Sequence, residues 1–370
     1  MSEADTDVRR DAGRSHEDLT VDDTGREALL AVYERLQIDA AWTVWHDDGF
    51  TWWAHRLPQR IRVEGPTDVD GLATRWLSFE TAALRGVAVA DGAKSNSAAI
   101  AAMELNRVSN LYEVHLDGDR LGLRGRVYFM PETLRFRTEL FADRALLAVT
   151  WAERNADTLV GGAGKLSLAP GLAVDATPHP TSGERAAPDD MLNVADAVFQ
   201  PLGQEPPRNA GATDLRGAAE VLAGSADDVV GGSDEGLVQA SLSGTGVGAR
   251  VAIRAQIGHP SLGQGMLLLV YLRPPALDAF EPGSREEGQA AIATAETLNQ
   301  AAWSMPWPLL HVGAWVGDGG SERPHRVVYA SFHPNATLTQ GVAEALAYDG
   351  IGRAHRAAPL LIARDGRPLS

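Results

Sequence analysis

His115, Asp117 and Asp119 are three side chains that together could bind a metal ion through one imidazole and two carboxylates. On a straight β-strand, residues two apart point to the same side, so all three would face one ion. The Asp-Gly-Asp sequence that contains the two carboxylates is also typical of a hairpin turn, which would remove this regular spacing. The two aspartates that follow His46 have the same turn character. The sequence therefore predicts turns at both places and no metal site.

Glycine-rich stretches are a second kind of candidate, because backbone amides in such loops bind phosphate groups. Gly244, Gly246 and Ala249 match the G-x-G-x-x-A string of dinucleotide-binding loops. From Val251 onwards, apolar residues alternate with other residues as in a strand, whereas a helix follows the glycines of that motif. Lys165 lacks the other residues of a phosphate-binding P-loop, and the chain contains no cysteine. We therefore predict no bound cofactor and assign no catalytic residues.

Tryptophans are concentrated in the first predicted strands, where they could form a binding surface for another protein. Five of the nine lie there, namely Trp42, Trp45, Trp52, Trp53 and Trp76. Because Trp52 and Trp53 are adjacent on one strand, they must point to opposite sides of it. One of the two is then exposed or meets another layer. Core packing is the simpler interpretation of the cluster, and partner binding by Trp45, Trp52 and Trp53 is the alternative.

The stretch from Ser97 to Trp151 has the pattern of a helix, a hairpin and a second, longer helix. The same order returns from Glu287 to His355. In the first helix of each stretch, the pair Leu105–Asn106 recurs 193 residues later as Leu298–Asn299. Either asparagine could bond to the nearby backbone or contact a partner. The repeat predicts two related domains.

The predicted fold class is α+β, with two related domains that each contain an antiparallel sheet of about five strands and flanking helices. Four regions follow from composition and pattern. They are a disordered acidic tail at residues 1–24, a first domain at 25–155, a flexible linker rich in Gly, Pro and Asp at 156–236, and a second domain at 237–365. The tail and the linker are assigned because few apolar residues are present to offset the entropy of ordering.

Some elements of these regions are predicted individually. The first domain has three predicted strands before its hairpin, at Ala41–Trp45, Phe50–His55 and Trp76–Leu84. Ile61 and Val63 are predicted to continue the second of these strands, which ends at Gly65 and Pro66. Within the linker, Met191–Phe199 and Leu215–Leu222 have the spacing of two short helices.

The helix before the first hairpin contains the sequence AAMELNRVSN, and the corresponding helix of the second stretch contains TAETLNQAAW. Together with the order of the elements, these helices resemble those of the YbjN family and of the wider group of type III secretion chaperone-like proteins. The resemblance covers most of residues 26–155 and 237–356, as a tandem of what is usually a single domain. It implies domains that bind proteins or dimerise, with no catalytic residues to assign.

The charge of the chain disfavours some classes of partner. Its formal net charge is −16 at pH 7, which repels a phosphate backbone, so we expect no nucleic-acid binding and no binding to acidic membranes. Residues 1–21 lack the apolar core of a signal peptide, and the apolar run Met266–Leu272 is too short to span a bilayer. We therefore expect a cytoplasmic protein.

Two functional hypotheses follow. The first is a non-catalytic interaction protein, chaperone-like or regulatory, that binds another protein or peptide. Its two domains would pair with each other as an intramolecular pseudo-dimer, so that the chain is monomeric. The second is a small-molecule binder or an enzyme with a site between the two domains. Trp303 and Trp307 are candidates for contacts in either case.

Overall fold

Two antiparallel sheets with flanking helices make up the computed structural model, which describes residues 14–87, 95–162, 172–181, 214–226, 228–232, 235–259, 262–320 and 323–362. The first sheet contains β1 Thr43–His46, β2 Gly49–Trp53, β3 Pro58–Val69, β4 Leu72–Arg85, β5 Glu113–Asp117, β6 Arg120–Phe129 and β7 Ala173–Val174. The second sheet contains β8 Asp228–Gly232, β9 Leu237–Leu242, β10 Gly248–His259, β11 Gly263–Arg273, β12 Ala314–Gly320 and β13 Arg323–Pro334.

The helices of the described residues are α1 Asp23–Leu36, α2 Ser95–Ser109, α3 Leu134–Gly161, α4 Arg216–Ala223, α5 Arg285–Ser304 and α6 Val342–Ile362. None of these helices is both long enough and apolar enough to cross a membrane.

The chain divides into two units. Met1–Glu104 and Tyr112–Ala197 form the first, and Leu105–Leu111 and Val198–Ser370 form the second, so the end of α2 groups with the second unit. The strand order of the first sheet is β1-β2-β3-β4-β6-β5, with β7 beside β4, and that of the second is β8-β9-β10-β11-β13-β12. One order of six strands therefore occurs twice, which is consistent with two related domains. The predicted α+β class is confirmed.

The sheets contain seven and six strands, more than the expected five. Residues 54–57 turn the chain, so that Pro58 pairs with Trp53 and β3 runs back along β2. The expectation that Ile61 and Val63 continue the preceding strand is therefore wrong, because they lie in β3. Residues 54–57 contain none of the glycine or asparagine residues that mark hairpin turns in a sequence, so the start of β3 could not be predicted.

The strand β3 continues through Gly65 and Pro66, where the sequence predicts a strand end. The pairing of β3 with β4 shifts between Glu64 and Thr67, which is a β-bulge, and the Gly65–Pro66 peptide bond is cis. Gly65 has a φ of +105°, and an added Cβ would lie 2.9 Å from the carbonyl oxygen of Thr74. Only glycine fits this bulge, so the Gly-Pro pair bends the strand without ending it.

Residues 14–24 belong to the expected acidic tail but pack on the first unit. Leu19 is buried, and the Thr20 N–H donates a hydrogen bond to the carbonyl oxygen of Asp47 at 2.8 Å. A buried leucine and backbone hydrogen bonds help to offset the entropy of ordering this segment. Residues 1–13 lie outside the described residues.

Parts of the expected linker, residues 156–236, also belong to the two units. The helix α3 continues to Gly161, β7 pairs with the end of β4, and β8 pairs with β9. The helix predicted at Leu215–Leu222 is present as α4, which packs on α6. The helix predicted at Met191–Phe199 lies outside the described residues.

Each sheet packs an apolar face against helices of its own unit. In the first unit, Phe79 of β4 contacts Phe141 of α3, with ring centroids 5.7 Å apart. In the second unit, Gly350 of α6 approaches β10 so closely that an added Cβ would lie 2.6 Å from Cγ1 of Val251. Because successive side chains of a strand alternate in direction, every second residue of these strands faces away from the helices.

Asp22 fixes the start of α1. Its Oδ1 accepts a hydrogen bond from the Gly25 N–H at 2.9 Å, and its Oδ2 accepts one from Nε of Arg75 at 2.8 Å. The hydrogen bond from Arg75 is the largest cause that holds the pKa of Asp22 below its usual value of 3.8. Asp22 therefore joins the helix cap to β4.

We expect Asp22→Ala to lower the free energy of unfolding by about 1–2 kcal/mol at neutral pH, because the helix loses its cap and Arg75 loses its carboxylate. The folded pKa is lowered, so this stabilisation is present above pH 3.8 and is lost as the pH falls through the folded pKa. Urea denaturation across this pH range measures the difference. Asp23→Ala, in the same helical turn, is the control, and an Asp22→Ala effect that does not change with pH would contradict the assignment.

Candidate partner-binding site on the first sheet

Trp52 and Trp53 point to opposite faces of β2, as their adjacency predicts. The indole N–H of Trp52 donates to Oε1 of Gln59 at 3.0 Å, and Nε2 of Gln59 donates to the carbonyl oxygen of Ala145 on α3 at 2.8 Å. Trp52 therefore lies on the helix side of the sheet and is only 1% exposed. A predicted partner-binding residue is here part of the core.

Trp45 also lies in the core of the first unit. Its ring centroid is 5.2 Å from that of Tyr33 on α1 and 5.1 Å from that of Phe50 on β2. Burial raises the pKa of Tyr33 above its usual value. For Trp45, the simpler interpretation of the tryptophan cluster as core packing agrees with these contacts.

Trp53 belongs to a different, smaller cluster. It packs with Val44 of β1, and the half-buried Trp42 completes the group. Residues 172–181, which we call the covering segment, lie against this aromatic cleft of Trp42 and Trp53. The indole N–H of Trp53 donates to the carbonyl oxygen of Thr177 at 2.7 Å. The tryptophan is buried by a segment of its own chain.

The imidazole of His179 makes the central contact of the covering segment with the cleft. Its ring centroid lies 4.6 Å from that of Trp53 and 5.4 Å from that of Trp42, and both pairs meet edge to face. This is the favourable geometry for aromatic rings. His179 is only 3% exposed, so its ring fills the cleft.

The covering segment is attached to the sheet at its other end by backbone pairing. Val174 of β7 pairs with Leu84 of β4, and the Asp175 N–H donates to the carbonyl oxygen of Ala83 at 3.0 Å. The buried carboxylate of Asp175 forms an ion pair with Nε of Arg120 at 3.1 Å. Strand pairing at one end and an aromatic contact at the other hold the segment on the first unit.

The hydrogen bonds of His179 define its protonation state. Its Nδ1 accepts the backbone N–H of Thr181 at 3.2 Å and lies 2.8 Å from the hydroxyl of the same residue. A backbone N–H is always a donor, so Nδ1 carries no proton and the ring is neutral. Burial lowers the pKa of His179 below its usual 6.5, and a hydrogen bond with the backbone of Thr43 opposes that shift.

The cleft contacts the covering segment through two indole rings and the indole N–H of Trp53. The Nδ1 lone pair of His179 is used by Thr181, and the ring is shielded from solvent, so it cannot take a proton from a substrate in this state. The cleft can therefore hold an extended chain through ring contacts and an indole N–H.

Pro178 and Pro180 flank His179 on the covering segment. Each proline ring fixes its own φ near about −65° and favours an extended conformation in the residue before it. The segment is therefore restricted towards the extended form before it binds, and less entropy is lost when it enters the cleft. The Pro-His-Pro sequence is the signal by which these residues could have been found, and the sequence analysis missed it.

The remaining candidate residues lie elsewhere. Asn299 of α5 donates from Nδ2 to the carbonyl oxygen of Trp315 at 3.0 Å and accepts the Trp315 N–H at 2.8 Å, so its amide ties α5 to β12. Asn106 and Trp307 are buried, and Trp303 is half-buried. The backbone role that the sequence left open for Asn299 is the one its contacts support.

The residues considered for metal binding are also placed by the structure. His115 lies 3.2 Å from Oε1 of Glu80, and this hydrogen bond is the largest cause that lowers the pKa of Glu80. Asp117 pairs with Arg120 at the end of the β5–β6 hairpin, so the predicted turn is present. Within the described ranges, no group of three or more histidine, aspartate or glutamate side chains could hold a metal ion.

The G-x-G-x-x-A string lies in a structural position. Gly244 and Gly246 have positive φ angles, and the strand predicted after them is present as β10.

Ser331 and His333 form a pair that no sequence motif indicated, with their Oγ and Nε2 atoms 3.0 Å apart. The Ser331 hydroxyl donates to the carbonyl oxygen of Val312, and both side chains are fully buried. This pair lacks the access that a nucleophile needs.

Comparison of the chain with protein-family models, with curated proteins and with solved structures found no significant match.

The neutral state of His179 leads to a pH prediction for the covering segment. Because its folded pKa lies below 6.5, the contact is fully present above that pH and weakens as the pH falls towards the folded pKa. We expect opening of residues 172–181 to increase by up to about tenfold per pH unit below 6.5, the limit for one proton. Hydrogen exchange of the segment amides, corrected for the intrinsic rate, measures this opening.

His179→Asn is the matched control, because its side-chain oxygen accepts the Thr181 N–H without titrating. Because asparagine lacks the ring that contacts Trp42 and Trp53, we expect this variant to open more often at every pH but to lose most of the pH dependence. The same pH dependence in the variant as in the wild type would assign the effect to another group.

Proposed function

We propose that the chain is a non-catalytic, chaperone-like interaction protein that binds an extended, proline-containing segment of a partner protein. The binding site is the aromatic cleft of Trp42 and Trp53, where residues 172–181 of the same chain lie. The observation that carries the proposal is the Pro-His-Pro sequence of the covering segment seated against two tryptophan rings.

Two known modes of peptide recognition are combined in this contact. Proline-rich segments dock in grooves lined by aromatic side chains, and extended peptides add to the edge of a sheet through backbone hydrogen bonds. The covering segment places His179, which lies between two prolines, against the tryptophan rings, and it pairs Val174 with the sheet in the second mode. An extended segment of another protein with the same features would contact the same tryptophan rings and the same strand of the first unit.

Displacement of the covering segment has to break the pairing of β7, which is two residues long, the hydrogen bond from Trp53 and the ring contacts of His179. A partner binds only to molecules in which the cleft is open, so its apparent affinity is reduced by the fraction of open molecules. The covering segment would thereby exclude partner segments that bind the cleft too weakly to displace it.

The resemblance of the two helices to YbjN-like and type III secretion chaperone-like domains supports a role in binding proteins, since that is what those domains do. Membership of that group is part of the proposal. The cytoplasmic location, the monomeric state and the pairing of the two domains remain predictions.

A labelled synthetic peptide with the sequence of residues 170–183 tests the proposal on the full-length protein by fluorescence polarisation. We expect His179→Ala to bind this peptide about tenfold more tightly than wild type, because about 1.4 kcal/mol of internal contact no longer competes. Trp42→Ala should weaken peptide binding in either background, because it removes one wall of the cleft. Trp42 is half-buried, so this variant is expected to fold.

Trp303→Ala, which removes a half-buried tryptophan of the second unit, is the matched control and should leave the peptide affinity unchanged. A peptide with alanine at the two proline positions should bind more weakly. Peptide binding that responds to neither His179→Ala nor Trp42→Ala would reject the cleft as the binding site.

A further inference from the structure

The second unit contains an open pocket at one end of its sheet, with a volume of about 460 Å³. This is within the range of small-molecule sites. Its polar side chains come from four neighbouring strands and are Ser241, Arg250, Tyr271, Arg273 and Arg326. Three arginines in one pocket are notable in a chain with a net charge of −16.

The strand register aligns three of these side chains. Arg250 on β10 is directly opposite Ser241 on β9 and directly opposite Tyr271 on β11. Directly paired residues point to the same face, with Cβ atoms about 5 Å apart. The side chains of Ser241, Arg250 and Tyr271 therefore leave the sheet from one row on the same face.

Two of the arginines are held in place by carboxylates. Arg326 lies over the ring of Tyr271, 4.2 Å from its centroid, and forms an ion pair with Asp318 at 2.9 Å. Arg273 forms ion pairs with Asp278 at 2.9 Å and with the fully buried Glu287 at 3.2 Å. These arginines position the ring and the wall of the pocket, and their charges are largely compensated.

Arg250 differs from these two arginines. Its side chain is exposed, and it makes no ion pair or hydrogen bond with any part of the chain that the structure describes. Its positive charge is therefore available to a ligand. The next arginine on the same face of β10, Arg254, is also exposed but lies outside the pocket lining.

Tyr271 supplies a donor beside this charge. Burial is the largest cause that raises the pKa of Tyr271 above its usual value of 10, against the opposing effect of Arg326. Its hydroxyl therefore stays protonated at neutral pH and can donate a hydrogen bond to an anion. The Ser241 hydroxyl can donate in the same way.

We infer that this pocket binds a small oxyanion, a carboxylate or phosphate group of a small molecule, with Arg250 as its charged partner and the hydroxyl groups of Tyr271 and Ser241 as hydrogen-bond donors. A guanidinium matches the geometry of either group through two parallel hydrogen bonds. The inference concerns the second unit alone and does not rest on the proposed binding of a partner segment.

Isothermal titration calorimetry of the full-length protein with inorganic phosphate and, separately, with citrate tests the inference at matched ionic strength. We expect saturable binding of at least one of them in the millimolar range or tighter. Arg250→Ala should weaken it about tenfold or more, because a hydrogen bond to a charged group is lost. Tyr271→Phe keeps the ring under Arg326 and should weaken binding severalfold.

Arg254→Ala is the matched control, because it removes the same charge from the same strand and face but outside the pocket. The charge of Arg254 also acts on the Tyr271 hydroxyl, so its loss should weaken binding, but severalfold less than Arg250→Ala does. Tighter binding of phosphate or of citrate would identify the preferred anion. No saturable binding of either, or an equal loss in Arg250→Ala and Arg254→Ala, would overturn the assignment.

Discussion

A β-strand directs successive side chains to opposite faces, and both proposed sites depend on that alternation. On β2 it sends Trp52 to the face that α3 contacts and Trp53 to the other face. On β10 it sends Val251 to the face that α6 contacts and Arg250 to the other face. Trp53 and Arg250 therefore point away from these two helices and remain for other contacts.

In the aromatic cleft, the first unit covers Trp53, which points to the face of β2 opposite to Trp52. An exposed indole of this size would be an apolar patch with a risk of non-specific association. The chain returns after α3 and places Thr177 and His179 against it. Functional opening in proteins occurs in segments of low local stability, and this is the behaviour that the proposed function requires of this cover.

Carboxylates neutralise most of the arginines that line the sheets. Asp22 holds Arg75 at the start of α1, Asp318 holds Arg326 on β13, and the buried Glu287 holds Arg273 on β11. In such pairs the attraction offsets the cost of removing both charges from water. Against this background Arg250 is the exception in the pocket, because it makes no ion pair with any residue that the structure describes, and Tyr271 is its cross-strand neighbour.

The sequence by itself determined the features that depend on near neighbours. Spacing along the helix predicted α4, the Asp-Gly-Asp turn predicted the β5–β6 hairpin, and adjacency predicted that Trp52 and Trp53 face opposite ways. The repeated order of helices and strands predicted two related sheets. Each of these follows from contacts between residues that are close in the chain, so the pattern is visible in a short window.

Only the tertiary structure decided what covers Trp53 and what surrounds Arg250. The hydrogen bond from Trp53 to Thr177 joins residues 124 positions apart, and the pocket is assembled from four strands and their register. Contacts at such distances are chosen by how the whole chain packs, so they leave no periodicity in the sequence. The separate strand β3 is another example, because the turn at residues 54–57 is defined by the pairing of β3 with β2 and β4 and not by a local sequence signal.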